Sequence, residues 1–209
     1  LQMVRRALDL DADPLSIEPV LARDFSHCVG WRVPSAWSGF ELAVRAVLGQ
    51  QVTVAAARTL TQRLVQAFGE PVITPWPELT HAFPSPESLL QASADQLGQL
   101  GIVRQRQKAI RALAQAVLQD GLDLDSGVHV QATMKALLQL PGIGDWTAQY
   151  IAMRALRWPD AFPAGDIVIQ QRLGVRDEPN PARAAHDRAS AWRPWRSYAV
   201  VRIWHGANP

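Results

Sequence analysis

The sequence has a single cysteine, Cys28, among its 209 residues. One cysteine excludes an internal disulfide and any four-cysteine zinc or iron–sulfur site, and it fits a reducing compartment. No run approaches the roughly 18 consecutive apolar residues of a membrane-spanning helix, so no membrane partner is predicted. The alternation typical of strands is also missing, and the prolines of 72–86 predict a connecting loop.

The N-terminus resembles no secretory signal. The first residues, LQMVRRALDLDADP, are amphipathic and charged, unlike the apolar core of a signal peptide. Because the chain begins with Leu1 rather than methionine, we expect a fragment or a processed piece of a longer protein. The expected location is the cytoplasm.

Positive charge is concentrated near the C-terminus. The segment 172–209 carries seven arginines against three acidic residues, whereas the whole chain has a net charge of only +2. Such a segment suits a polyanion such as nucleic acid, and it suits a solvated surface equally well. Charge alone therefore leaves the partner open.

Capping residues, glycines and prolines divide the chain into many short helices, which predicts an all-α fold. Asp13 before Pro14, Ser38 and Thr53 are predicted to cap helix starts, and Gly69 to end a helix. The predicted helices cover 14–22, 39–50, 54–68, 86–99, 103–119, 131–139, 145–156, 166–173, 180–192 and 195–205.

A rigid turn separates two of these helices, in LQLPGIGDWTAQYIAMRAL (138–156). Pro141 fixes its own φ, and Gly142 and Gly144 allow backbone angles that a side chain would forbid. The next helix presents N–H groups at its positive end, and a phosphate can approach them where side chains are absent. The turn is predicted either to bind phosphate or to be a plain helix–helix connection.

A family resemblance rests on three stretches that follow one another: LPGIGDWTAQYIAMRAL, AFPAGDIVIQQRLG and WRPWRSYAVVRIWH. Together they resemble the helix-hairpin-helix (HhH-GPD) DNA glycosylases, above all the AlkA-type 3-methyladenine DNA glycosylase II branch. The earlier stretch FELAVRAVLGQQVTVAAARTLTQRL is similar to that family's early helices. The family often has a further N-terminal β-rich domain, which we do not expect within these 209 residues. Some relatives follow an Ada-type regulator, so the chain could be the C-terminal part of such a fusion.

The resemblance implies a two-lobed helical fold with the active site and DNA groove between the lobes. It places a central helical domain with the helix-hairpin-helix at 39–158. A second lobe, carrying the catalytic aspartate and the basic C-terminus, would combine 1–38 with 159–209.

By the same resemblance, Asp166 in AGDIVIQQR is the catalytic carboxylate. Cleavage of an N-glycosidic bond builds positive charge on the sugar, and a carboxylate would stabilise that charge or orient water. Asp166 also stands where a helix begins, so it can be an N-cap, with or without a catalytic role.

Bifunctional relatives carry a lysine in the first turn after the hairpin, where this chain has Trp146. The only lysines are Lys108 and Lys135, and neither stands at the matching position. The resemblance therefore implies a monofunctional enzyme with water as nucleophile and without lyase activity at abasic sites.

Three aromatic residues are implied in the base pocket: Trp146, Tyr150 and Trp204. Trp146 and Tyr150 are four residues apart and share a helix face. An aromatic pocket suits a purine that alkylation has made cationic, through a cation–π attraction of about 0.5–2 kcal/mol. The alternative for each ring is a place in the core.

The resemblance also implies residues that contact DNA. A base flipped out of the duplex leaves a gap that a side chain usually fills, and the aligned residue here is Gln51, preceded by Gln50. An exposed polar turn is the alternative. The hairpin contacts would come from Gly142, Ile143, Gly144, Asp145 and Thr147.

The expected partner is double-stranded DNA with alkylated bases, bound by a nucleoid-associated monomer. No cofactor is required, and no iron–sulfur cluster is expected. A structural Na⁺ or K⁺ ion at the hairpin is implied by the resemblance, with the backbone carbonyls of Leu138, Leu140 and Ile143 as ligands.

Two other functions stay open at this point. One is a catalytically silent helix-hairpin-helix module that binds DNA for a methylation-responsive regulator. The other is a glycosylase for other damaged bases, such as oxidised or mismatched ones. Only an enzyme requires Asp166 and the aromatic residues together.

Overall fold

The computed structural model describes residues 1–125, 127, 129–206 and 209, and over these residues the fold is all-α, as predicted. The described residues contain no β-structure beyond one isolated bridge, between Pro71 and His81. Within them no helix combines the length and apolarity that crossing a bilayer requires. The helices are α1 (Gln2–Ala7), α2 (Pro14–Leu21), α3 (Gly39–Leu48), α4 (Val54–Phe68), α5 (Pro86–Gln91), α6 (Ala94–Gln99), α7 (Arg104–Gln119), α8 (Val130–Gln139), α9 (Asp145–Arg154), α10 (Ile167–Arg172), α11 (Pro181–Arg188) and α12 (Arg196–Trp204), with 3-10 helices at Ser26–Cys28 and Ala189–Trp192.

Three predicted helix starts are confirmed by their capping bonds. Asp13, Ser38 and Thr53 each accept a hydrogen bond from a backbone N–H in the first turn of α2, α3 and α4. These short polar side chains satisfy N–H groups that have no partner within the helix.

The single helix predicted over 86–99 is wrong, because the structure has α5 and α6 there. Ser93 caps α6 through a capping box, in which its hydroxyl accepts from the Gln96 N–H and the Gln96 side chain accepts from the Ser93 N–H. This reciprocal pair starts a new helix and ends the old one. The helix predicted over 180–192 is α11 followed directly by the 3-10 helix Ala189–Trp192.

The chain divides into two compact units. The terminal unit consists of Leu1–Trp37 with Ala148–Pro209, and the central unit is Ser38–Thr147. The predicted central range, 39–158, included all of α9, whereas the observed division leaves only the first three residues of α9 in the central unit.

Each unit has its own core. In the central unit α7 packs against α3 and α5, and Ile110 and Leu113 of α7 are fully buried. In the terminal unit α12 packs against α10, with Ala199, Ile203 and Ile169 fully buried. The core of the terminal unit positions the start of α10 and the end of α12. The core of the central unit positions the turn after α3 and the hairpin before α9.

Candidate active site and nucleic-acid contacts

Asp166 lies at the start of α10 in the terminal unit, and it is half-buried. Its Oδ1 accepts a hydrogen bond of 3.0 Å from the backbone N–H of Ile169, so its role as an N-cap is confirmed. A carboxylate that caps a helix is held in one orientation at the positive end of that helix, where negative charge is favoured.

Two predicted pocket aromatics accompany this carboxylate. The indole N–H of Trp204, the last residue of α12, donates to Asp166 Oδ1 over 3.3 Å. The ring of Tyr150 lies with its centre 6.0 Å from that of Trp204, at 45°. Both rings are half-buried. Asp166, Trp204 and Tyr150 therefore form one cluster within the terminal unit.

The loop that leads to Asp166 is fixed by two glutamines that the sequence did not single out. Gln149 Oε1 accepts from the Phe162 N–H over 3.0 Å, and Gln170 Nε2 donates to the Ala164 carbonyl over 2.9 Å. Residues 161–164 are buried, so their backbone groups need partners inside the protein. No local signal marks Gln149, because its partner is thirteen residues away.

A buried ion pair anchors α12 two residues before Trp204. Arg202 has no exposed surface, and its Nη2 donates to Glu18 Oε1 over 2.7 Å. The Gly30 N–H donates to the same oxygen, and the guanidinium lies 5.9 Å from the centre of the Phe25 ring. Removing one partner of such a pair would leave a buried charge uncompensated.

The C-terminal arginines largely bond inside the protein. Arg196 and Arg193 pair with Asp160 at 2.6 and 2.9 Å, Arg202 pairs with Glu18, and Arg188 donates to the Leu173 carbonyl. These four arginines thus have partners inside the protein. The positive charge of this segment is therefore weaker evidence for a polyanion surface than the sequence suggested.

The hairpin lies in the central unit, between the end of α8 at Gln139 and the start of α9 at Asp145. Gly142 has φ +81°, the left-handed region that glycine adopts without strain. A Cβ atom at this position would lie 3.0 Å from the Cβ of Ala109 in α7. Gly142 is therefore needed both for its backbone angle and for the packing of α7.

Gly144 differs from Gly142, because it does not adopt the left-handed backbone angle that glycine allows. Its φ lies outside the left-handed region, and a Cβ there would meet no atom within 4 Å. Gly144 is exposed just before the first residue of α9. What glycine provides here is open space beside the N-terminus of a helix.

Gln50 joins the hairpin to the turn between α3 and α4. Its Nε2 donates to the Gly142 carbonyl and to the Thr147 hydroxyl, both over 2.9 Å. Thr147 is almost fully buried. The sequence predicted DNA contacts for Gln50 and Thr147, which stay predictions, and it gave no sign of the bond between their side chains. Arg106, which the sequence did not single out, donates to the Gln50 carbonyl.

The other predicted contact residues differ in exposure. Gln51 is exposed and has φ +52°, which is uncommon for a residue with a side chain. Asp145 is exposed, Ile143 is buried, and Trp146 is half-buried one turn before Tyr150 in α9. Trp146 belongs to the central unit.

The carbonyls predicted for a monovalent cation lie around the end of α8. Leu138 is in the last turn of that helix, where carbonyls lack a partner further along the helix. The Leu140 carbonyl accepts from the Ile143 N–H over 3.2 Å. Among the described residues, no cluster of histidine, cysteine and acidic side chains could hold a metal ion.

Curated relatives match nearly the whole chain. It is 38% identical to DNA-3-methyladenine glycosylase 2 of Escherichia coli, over 98% of this chain and 71% of that protein. It is 43% identical to the probable bifunctional transcriptional activator/DNA repair enzyme AlkA of Mycobacterium tuberculosis, over 96% of this chain. The chain spans only 41% of that longer relative.

Solved structures show the same fold at lower identity. The 3-methyladenine DNA-glycosylase from Archaeoglobus fulgidus has a TM-score of 0.80 and 21% identity, with 98% of this chain and 72% of that chain covered. MBOgg1 in complex with a low-affinity DNA ligand has a TM-score of 0.82 and 18% identity, with 98% and 73% covered. A family model for base excision DNA repair proteins matches residues 44–194, which include the hairpin, Tyr150 and Asp166. The chain belongs to the HhH-GPD superfamily of base excision DNA repair proteins.

Proposed function

We propose that this chain is a monofunctional DNA glycosylase that excises alkylated purines from double-stranded DNA in base excision repair. It would act as a monomer in the nucleoid-bearing cytoplasm, flip the damaged nucleotide out of the duplex and hydrolyse its N-glycosidic bond. One observation carries the proposal: the Asp166 carboxylate, which caps α10, receives a hydrogen bond from Trp204, whose ring neighbours Tyr150. A catalytically silent DNA-binding module has no use for this combination.

Asp166 would supply the negative charge that the reaction needs. As the base departs, positive charge develops on the sugar, and a preorganised carboxylate stabilises it without reorganising. The Ile169 and Trp204 N–H groups hold one carboxylate oxygen in place. Water is the nucleophile, oriented or deprotonated by the same carboxylate.

The aromatic rings would favour cationic bases. Alkylation at N3 of adenine or N7 of guanine gives the base a positive charge, which attracts the π-faces of Trp204, Tyr150 and Trp146. Such a base is also a good leaving group, so one carboxylate and a pocket of aromatic rings suffice for its release. The name of the Escherichia coli relative, which specifies 3-methyladenine, supports this substrate class.

A covalent imine with the sugar is not part of this mechanism. Trp146 stands where bifunctional relatives have lysine, and the two lysines, Lys108 and Lys135, lie on α7 and α8. Without an amine at that position, the product would be an intact abasic site.

The hairpin would hold DNA through its backbone. The N–H groups at the start of α9 can face a phosphate, and Gly144 leaves the approach open. A Na⁺ or K⁺ ion held by the carbonyls of Leu138, Leu140 and Ile143 would add positive charge at the same place. Gln51, exposed in its turn, would fill the gap that the flipped nucleotide leaves.

Base release from methylated DNA tests the proposal. The protein is incubated with duplex DNA treated with dimethyl sulfate, and the released bases are identified by chromatography. We expect 3-methyladenine and 7-methylguanine from the wild type and almost none from Asp166→Asn. Duplex binding without any base release would instead support the silent module. Release of oxidised or mismatched bases alone would assign a different lesion.

A further inference from the structure

The side chain of Gln50 bonds the turn between α3 and α4 to the hairpin. Both amide hydrogens of Gln50 have partners, because Nε2 donates to the Gly142 carbonyl and to the Thr147 hydroxyl, each over 2.9 Å. One partner lies in the hairpin turn and the other in the first turn of α9. All three residues belong to the central unit.

The backbone of the same turn is held from another direction. The Arg106 guanidinium, on α7, donates to the Gln50 carbonyl. The next residue, Gln51, has φ +52°, a conformation that residues with a Cβ atom adopt only where their surroundings hold them. The bonds of Gln50 thus fix the backbone immediately before the exposed side chain of Gln51.

We propose that Gln50 is a positioning residue that couples phosphate binding at the hairpin to the insertion of Gln51 into the duplex. A phosphate at the start of α9 fixes one point of the DNA backbone, and Gln51 must reach the base stack at a set offset from that point. Gln50 connects the two structures directly and keeps that offset constant. The inference rests on the proposed function and assigns Gln50 a role within it.

Gln50→Met tests the coupling, because methionine keeps the length of the side chain and removes both donors. We measure single-turnover excision of 7-methylguanine from duplex and from single-stranded DNA. The ratio of the two rates should fall about tenfold, in line with two neutral hydrogen bonds lost, because only a duplex has a stack to refill. Gln66→Met, the same change at an exposed position of α4, is the matched control and should leave the ratio unchanged. An unchanged ratio in Gln50→Met would overturn the proposal.

A double-mutant cycle with Gln51→Ala separates positioning from general stability. If Gln50 acts through Gln51, the duplex rate of the double variant should match that of Gln51→Ala alone. Fully additive losses would contradict the coupling. So would a Gln51→Ala variant with wild-type duplex activity, since no inserted side chain would then need positioning.

Thr147→Val provides a second variant if Gln50→Met fails to fold, as judged by circular dichroism. It keeps the shape of the buried side chain and removes one of the two acceptors, so the ratio should fall about threefold. Insertion is also measured without chemistry, from the fluorescence of 2-aminopurine beside an abasic analogue in the duplex. Wild type should raise this fluorescence and Gln50→Met should raise it less, whereas equal signals would sink the inference. Because this readout needs no base release, failure of the proposed function remains distinguishable.

Discussion

The two candidate functional regions differ in the chemical groups that they present, which are side chains in one and backbone in the other. Around Asp166 the terminal unit assembles side chains: a carboxylate, an indole that donates to it, and a phenol ring. At the hairpin the central unit offers bare backbone, with Gly144 open to solvent before the first turn of α9. Chemistry on a sugar and a base requires particular functional groups, whereas a phosphate can be held by N–H groups common to every residue.

This difference predicts different responses to substitution. In the side-chain region an isosteric change that removes one charge should abolish function. In the backbone region the contacts come from N–H groups, which isosteric side-chain changes leave in place. There we expect an added side chain to weaken DNA binding, because it blocks access to those N–H groups. The following experiments test that contrast, from the largest expected effect to the smallest.

Asp166→Asn should lower the rate of base excision at least about 100-fold, the scale of losing one preorganised electrostatic group. Asparagine keeps the size and the capping ability of aspartate and removes the charge that opposes the developing sugar cation. Single-turnover excision from methylated duplex measures the effect. Affinity for undamaged duplex should be retained or slightly higher, because one negative charge is gone.

Asp13→Asn is the matched control, since Asp13 caps α2 in the same unit. Hydrogen bonds from the Ser16 hydroxyl and the Leu15 N–H lower the pKa of Asp13, so this carboxylate is charged at neutral pH. Its replacement should leave excision unchanged. Near-normal excision by Asp166→Asn would refute the mechanism.

Borohydride should trap no covalent protein–DNA complex with wild type or with Asp166→Asn, because in the proposed mechanism Trp146 stands where an imine would need lysine. Denaturing gel electrophoresis of a labelled duplex detects such a complex. A trapped adduct would overturn the monofunctional assignment and leave the rest of the mechanism standing.

Gly144→Val should weaken DNA binding by about tenfold, because the added side chain blocks the approach of a phosphate to the start of α9. Damaged and undamaged duplex should be affected alike, because phosphate contacts carry no sequence information. Fluorescence anisotropy at physiological salt measures both affinities. The protein should still fold, since the turn before α7, LGIVR, already has valine at the equivalent position, Val103. Wild-type affinity in a folded Gly144→Val protein would reduce the hairpin to a plain connection.

Two further variants sharpen the result at the hairpin. Ala132→Val adds the same branched side chain at an exposed position of α8 and should leave DNA affinity unchanged. Gly142→Ala should mainly lower the free energy of unfolding, by about 1 kcal/mol or more, because the new Cβ is strained at φ +81° and meets Ala109. Thermal denaturation separates this effect from a loss of phosphate contact.

Trp204→Ala should slow the release of cationic 7-methylguanine several-fold more than that of neutral hypoxanthine, as a cation–π term of about 0.5–2 kcal/mol implies. Trp204→Phe keeps an aromatic face and loses the N–H that binds Asp166, so it tests the hydrogen bond separately. Trp146→Ala should show the same preference for charge. Equal losses for both bases would mean that the rings provide shape alone.

Local signals in the sequence predicted much of the fold. Helix caps and helix-ending residues act over a few positions, so the sequence alone reveals them. Examples are the caps Asp13, Ser38 and Thr53 and the breaks at Gly69 and Pro141. The start of α6 is also predictable from a local signal, since Ser93 and Gln96 have the spacing of a capping box. That signal was missed because the run 86–99 is otherwise continuous.

The parts that sequence could not provide depend on contacts between distant residues. Gln50 meets the hairpin across 92 positions, and no local pattern marks that pairing. The arginine-rich C-terminus suited a polyanion or a solvated surface equally well from sequence, whereas in the structure Arg196 and Arg202 pair with acidic residues inside the fold. The cluster of Asp166 and Trp204 was expected from family resemblance, and its hydrogen bond needed the structure.

The bare hairpin has a consequence for how DNA binding would respond to ionic strength. Each phosphate that a lysine or arginine neutralises releases condensed counterions and adds about 0.9 to the slope of log affinity against log salt. Neutral N–H groups release none, and several C-terminal arginines are already neutralised by acidic partners. Contacts between phosphate and the hairpin N–H groups would therefore add little to the salt dependence of DNA affinity, despite a sequence isoelectric point near 9.1.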